Sequence, residues 1–161
     1  MGSVALLAAA GGLAACATVG NALGIGDGPV LVEQVAAAKD CRGPQTQDTV
    51  IVLPTAAEVG KLQLDRNFRL TFPGALPGGP FALVEAAGQA DGVNGLAVSR
   101  QAQVDHGVLY LTASYFASAA PKAAKPCVLV ALPPGRYQQV VVLDPTRARR
   151  AAAPVRGRTA R

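Results

Sequence analysis

The chain has 161 residues, enough for about one domain, and half of them are apolar, much of that alanine. With no Trp, four Phe and three Tyr, a core has to be built from Val, Leu and Ala, and so thin a core would benefit from a covalent staple. The formal charge of +5 belongs to one end: all ten acids lie between Asp27 and Asp144, and residues 147–161 hold six of the fifteen Lys and Arg, which leaves 1–146 at about −1 and argues against a basic nucleic-acid-binding face.

Residues 4–15 form an apolar run that is too short for a membrane span of ~20 residues and ends in small side chains, as a signal peptide does. No Lys or Arg precedes it in Met1-Gly2-Ser3. Its last four residues, Leu13-Ala14-Ala15-Cys16, resemble the lipobox of bacterial lipoproteins. The competing readings are an ordinary secretory signal with a chance cysteine, or an alanine-rich helix. The lipobox resemblance implies a diacylglycerol thioether on Cys16, cleavage before it, and acylation of the new amino group. Two or three acyl chains anchor firmly where a single chain holds only marginally. Ala17 stands where inner-membrane retention signals resemble Asp, which implies the outer membrane if the cell is Gram-negative.

Cys41 and Cys127 then remain. In an exported domain such a pair reads as one disulfide, closing a loop of about 86 residues worth roughly 4–5 kcal/mol in the loop-entropy model. Two buried thiols and a metal site are the alternatives, but one His and no CxxC speak against zinc.

Residues 17–30 are Gly-rich and nearly uncharged, which predicts a flexible tether over 16–30. Gly20, Gly24 and Gly26 lack the following Lys-Ser/Thr and the preceding strand of a phosphate-binding loop. Residues 30–39 fit either a short strand or a few helical turns. Thr49-Val50-Ile51-Val52-Leu53 is a β-branched run closed by Pro54, and 55–60 reads as a turn or a single helical turn. Lys61-Leu62-Gln63-Leu64-Asp65 and Phe68-Arg69-Leu70-Thr71-Phe72 alternate with period two and predict strands. Further strands are expected over 81–86, 95–99, 108–114, 127–132 and 137–143, punctuated by Gly and Pro turns, with an alanine-rich loop over 117–125.

The predicted domain, 31–145, is therefore mainly β: a small antiparallel β-sandwich or partly open barrel. Residues 146–161 form an Arg/Ala/Pro tail expected to be disordered, able to touch anionic lipid or an acidic partner.

Catalytic constellations are not evident. His106, the only histidine, precedes Gly107 where a hairpin turn is expected, and Asp105 should point to the opposite face and so be unable to orient it. Glu33, Glu58, Asp65, Glu85 and Asp91 read as solvated carboxylates without paired spacing. The sequence thus predicts no catalytic residue, no metal site and no cofactor.

A Gly/Pro turn leads into a strand at Pro77-Gly78-Gly79-Pro80-Phe81-Ala82-Leu83-Val84, strands follow at 96–98 and 107–113, and the stretch closes with 125–137 (KPCVLVALPPGRY) and Val140-Val141-Val142. This region resembles the C-terminal domain of the protease-complex-associated family, small β domains often carried on bacterial lipoproteins. The resemblance spans under half of the chain and implies binding to a protease or another envelope protein, on a fold similar to that of chagasin-type cysteine protease inhibitors. The inhibitors' Asn-Pro-Thr-Thr-Gly-Tyr loop is replaced here by residues 77–81, so no inhibitory residue is carried over.

Together these readings predict a lipid-anchored envelope protein that binds a protein partner, with the 73–80 loop and the Pro133-Pro134-Gly135 turn as its contact points. The rival reading is a structural or assembly lipoprotein acting through its Arg-rich tail. A third, a hydrolase using His106, has little to support it.

Overall fold

The computed structural model describes residues 27–42, 46–87, 93–117 and 124–155. The expected signal peptide, Cys16 with its expected lipid, most of the expected tether, Asp91 and the last six residues lie outside the described residues.

Two sheets face each other. The first contains β1 (Gly28–Leu31), β5 (Val93–Val98), β6 (Gln101–Asp105), β7 (Val108–Ala117), β9 (Gln139–Leu143) and β10 (Arg149–Pro154). Its order is β1-β6-β7-β9-β10, with β5 on the distal half of β7. The second has the order β2-β8-β4-β3, from β2 (Glu33–Ala38), β8 (Cys127–Ala131), β4 (Phe81–Glu85) and β3 (Thr49–Leu53). All pairings are antiparallel except β7 with β9. The expected mainly-β, two-sheet architecture is therefore present, as an open sandwich and not a closed barrel.

Between the sheets, alternate residues meet in one core: Leu109, Leu111, Val140 and Val142 from the first, Ala82, Val84, Val128 and Val130 from the second. All five residues of β4 are buried, which explains why Phe-Ala-Leu-Val-Glu shows no alternation. Its other face, with Phe81 and Leu83, contributes to a second core, under a helix and the segment after it, that also holds Leu129, Val59, Phe68 and Leu70. The molecule is thus three-layered: sheet, sheet, and a helical cover.

That helix, α1 (Ala56–Arg66), corrects the expected strand at 61–65. Pro54 stops β3, and Thr55 then opens a capping box: its hydroxyl accepts from the Glu58 N–H at 3.3 Å and the Glu58 carboxylate accepts from the Thr55 N–H at 3.2 Å. Once nucleated, the turn propagates through Lys61 to Arg66, so Leu62 packs inward while Leu64, which would share its face in a strand, is 82% exposed. Asn67, left-handed at φ 51°, caps the end. The alternation at 68–72 signals burial and not pairing. Phe68 and Leu70 enter the second core, but the Leu70 N–H is taken by the Gln63 side chain at 2.8 Å, and only one bridge, Ala37 with Thr71, joins a strand.

Three other boundaries move. Residues 28–30, expected in the tether, belong to β1, which pairs with β6. β6 itself was not expected, since its Gln101, Gln103 and Asp105 are exposed and only Ala102 and Val104 turn inward. The basic tail expected from 146 onward is ordered structure as far as Val155, because β10 pairs with β9. Ala151 fits the core, and the Arg150 Nε donates to Asp48 Oδ2 at 2.8 Å while its guanidinium lies 5.1 Å from the Tyr115 ring centroid. Small side chains that could not build a core of their own are buried by an existing one.

Candidate functional site

The Cys41 and Cys127 sulfurs meet at disulfide distance, with Cα atoms 6.0 Å apart and both residues 1% exposed. The link ties the chain after β2 to the central strand β8, inside the second core.

The two Pro/Gly segments singled out from sequence come together at one end of the sandwich. The Leu132 N–H donates to the Pro80 carbonyl at 2.9 Å, which brings the exit of β8 against the entry of β4. Gly79, whose peptide to Pro80 is cis, sits where a Cβ would fall 2.7 Å from the Pro54 carbonyl oxygen and 2.8 Å from the Phe81 ring, so no side chain fits there. Across from it, Tyr137 is buried and its hydroxyl donates to the Pro133 carbonyl at 2.8 Å, closing the Pro133-Pro134-Gly135 turn over its ring. Burial pushes the Tyr137 hydroxyl up to about 12. Between these segments lies a groove of about 650 Å³, with Val52, Pro54, Pro80, Leu132 and Val155 as its apolar wall and Arg136 and Gln138 at its rim. Residues 73–77 of the loop do not line it, and 78–80 do.

His106 and Gly107 form the two-residue turn between β6 and β7, at φ 47° and 74°, the conformation of a type I′ hairpin. The expectation that Asp105 could not orient His106 is corrected. The left-handed turn swings the ring round to the Asp105 carboxylate, Nδ1 to Oδ1 at 2.7 Å. The Asp27 carboxylate completes a group whose ligand atoms lie within 4.8 Å of one another, all three residues being exposed. In open water such a group has neither the enclosure nor the dry neighbours that tune a catalytic base.

Glu33, Glu58 and Asp65 are exposed as expected, whereas Glu85 is not. It is 3% exposed on the second-core face of β4, where its carboxylate accepts from Arg66 at 2.5 Å and from the Thr49 hydroxyl at 2.8 Å. In sequence the one hint of this is a Glu closing an otherwise apolar strand. Asp48, at the seam between the sheets, holds Arg150 and also accepts from the Ala87 N–H at 2.8 Å. Burial and the nearby Asp48 push the Tyr115 hydroxyl far above its ordinary range.

Comparison of the chain with protein-family models, with curated proteins and with solved structures gives no match.

Proposed function

We propose that this chain is a lipid-anchored protein of the bacterial cell envelope whose β domain binds another envelope protein, a protease or secretion component being the class that the sequence resemblance implies. The observation that carries the reading is Leu13-Ala14-Ala15-Cys16 at the end of a short apolar run. Two features of the structure support it. The remaining cysteines stand at disulfide distance, which suits an oxidising compartment. The groove between residues 78–80 and 133–137 has an apolar wall held by rigid proline turns, a surface that can take up a partner segment with little ordering cost.

The test is cross-linking in intact cells followed by mass spectrometry. It should return a Cys16 peptide carrying the acyl mass together with one dominant neighbour. A protein recovered with Met1 retained and an unmodified Cys16 sulfur overturns the anchor. Replacing 133–135 with a flexible Gly/Ser turn should abolish the cross-link, and an undiminished cross-link overturns the groove as the binding surface.

The tail reading is separated by truncation. A cut after Asp144 is unsuitable because it deletes β10 and the Ala151 contact. A cut after Val155 removes Arg156, Arg158 and Arg161 and leaves the sheet intact. Association retained by that variant supports the β domain, and association lost assigns it to the tail.

A further inference from the structure

The hydrogen bonds at the two ends of β4 fix which way each main-chain group of the second sheet points. The Leu132 N–H donates to the Pro80 carbonyl and the Ala86 N–H to the Pro126 carbonyl, both at 2.9 Å. Pro80, Ala82, Val84 and Ala86 therefore turn their main chain to β8, and Phe81, Leu83 and Glu85 turn theirs to β3. Opposite them stand Leu53, Ile51 and Thr49. Val50 and Val52 consequently point their N–H and C=O groups off the edge of the sheet, which ends at β3. Among the described residues nothing bonds to either.

The other sheet edges are blocked. The Val32 N–H donates to the Arg100 carbonyl at 2.9 Å, which sets Pro29 on the outer side of β1. The Val155 N–H donates to the Gln138 carbonyl at 2.8 Å, which sets Pro154 on the outer side of β10. A proline has no N–H to give an incoming strand. Ala37 of β2 exchanges bonds with Thr71 at 3.3 and 2.8 Å, and the Val98 N–H of β5 is taken by the Gln34 side chain at 3.2 Å. Over Val50 and Val52, β3 carries no such device. Its open edge is instead the floor of a cleft of about 450 Å³, with Lys61, Leu62 and Asp65 of α1 on one side and Ala153 and Pro154 of β10 on the other. Val50 is 6% exposed, so its unpaired groups lie deep in the cleft, where lacking a partner is costly.

We propose that this cleft is a docking site for an extended segment of another protein, which adds to the second sheet as a strand beyond β3. N–H and C=O groups repeating every second residue are the pattern that an extended backbone satisfies. The walls on both sides admit one strand and keep out the edge of a second sheet that carries walls of its own. Side chains of the added strand point alternately to α1 and to β10. On the α1 side they meet Ile51 and Leu62 between the opposite charges of Lys61 and Asp65, which suits an uncharged branched residue. On the β10 side Ala153 and Pro154 offer apolar contact alone, which suits a small one. The site requires neither the lipid anchor nor the groove at 133–137.

The probe is the peptide acetyl-Lys-Ala-Ile-Ala-Ile-Ala-Lys-amide, which reads the same in both directions and so tests parallel and antiparallel addition alike. It is titrated into the full chain, labelled with nitrogen-15, and followed by amide shifts and hydrogen exchange. In the chain alone the Val52 amide should exchange at least about tenfold faster than that of Ile51, which β4 holds. Millimolar peptide should shift the Val50 and Lys61 amides saturably and slow exchange at Val50 and Val52. Methylating the two Ile nitrogens of the peptide should weaken binding about tenfold or more. Lys61→Trp, at an exposed position where the ring closes the cleft, should do the same with an unchanged melting temperature. No saturable change at Val50 and Lys61 overturns the proposal, as does a methylated peptide that binds equally well. Shifts confined to 133–137 place the peptide in the groove and also overturn it. A dimer in light scattering that Lys61→Trp disperses gives the edge to a second copy. Protection of Val50 that is lost on a cut after Val155 gives it to residues 156–161, and either result overturns docking of another protein.

Discussion

The ion pair under the helix offers a decisive test of how the second core is held. Arg66 ends α1 and reaches the Glu85 carboxylate on β4, with side-chain exposures of 19% and 4%. A buried pair contributes little beyond its own desolvation, but a lone buried charge is expensive. Arg66→Ala leaves Glu85 with the Thr49 hydroxyl alone and should cost about 3 kcal/mol, the low end for a broken buried pair because the vacated space lets water in. With a urea m-value of ~1–3 kcal/mol/M, the midpoint should fall by roughly 1–3 M. Glu85→Gln keeps an acceptor for both donors and should cost about 1–2 kcal/mol. Thr49→Val/Arg66→Met/Glu85→Leu removes every partner at once and should return to within about 1 kcal/mol of the parent. Equilibrium urea unfolding followed by far-UV circular dichroism measures all three. If Arg66→Ala costs under about 1 kcal/mol, or if the triple variant is worse than Arg66→Ala, the buried-charge reasoning is wrong.

Reducing the Cys41–Cys127 pair should lower stability by about 4–5 kcal/mol for a separation of 86 residues, seen as a lower urea midpoint in reductant; an unchanged midpoint would show that the link does not constrain the unfolded chain. His106→Asn should be within about 0.5 kcal/mol of the parent and His106→Val worse by about 1–2 kcal/mol, because the cost arises from the left-handed backbone and not from the ring; thermal melts of both variants check this. Tyr137 is held protonated in the fold, up to about 12 against an ordinary value near 10, so its contribution is present below pH ~10 and is lost as pH rises from there to 12. Tyr137→Phe should therefore flatten the alkaline limb of stability against pH, and an equally steep limb would assign it to other groups.

The strands that alternate or run β-branched were legible: those expected over 49–53, 81–86, 95–99, 108–114, 127–132 and 137–143 are present as Thr49–Leu53, Phe81–Glu85, Val93–Val98, Val108–Ala117, Cys127–Ala131 and Gln139–Leu143. The cysteine pair was legible because two cysteines are left once Cys16 is read as the lipidation site, and neither belongs to a CxxC or has a histidine cluster to join. Residues 61–65 were misread because period two over five residues cannot be told from a helix once Leu64 is free to face water, and the Thr55–Glu58 cap was the better signal. β10 was unreadable because its Ala and Arg residues acquire an apolar environment only through β9, Asp48 and Tyr115, which are distant in sequence. Glu85 failed for the same reason, since its cation arrives from a helix that the sequence reading did not contain. The two proline turns were each visible, but the groove they make depends on β8 and β4 being neighbours.

The first strand has a mechanical consequence. β1 and β2 are nearly one continuous run that leaves one sheet for the other at Val32, whose N–H donates to the Arg100 carbonyl at 2.9 Å. A pull delivered from the N-terminal side would unzip this run a rung at a time, but only as far as Cys41, where the cross-link hands the load to β8 in the middle of the second sheet. Residues 27–41, about 50 Å of chain at full stretch, are thus the part that would yield, beyond which the rest of the domain bears the force as a block.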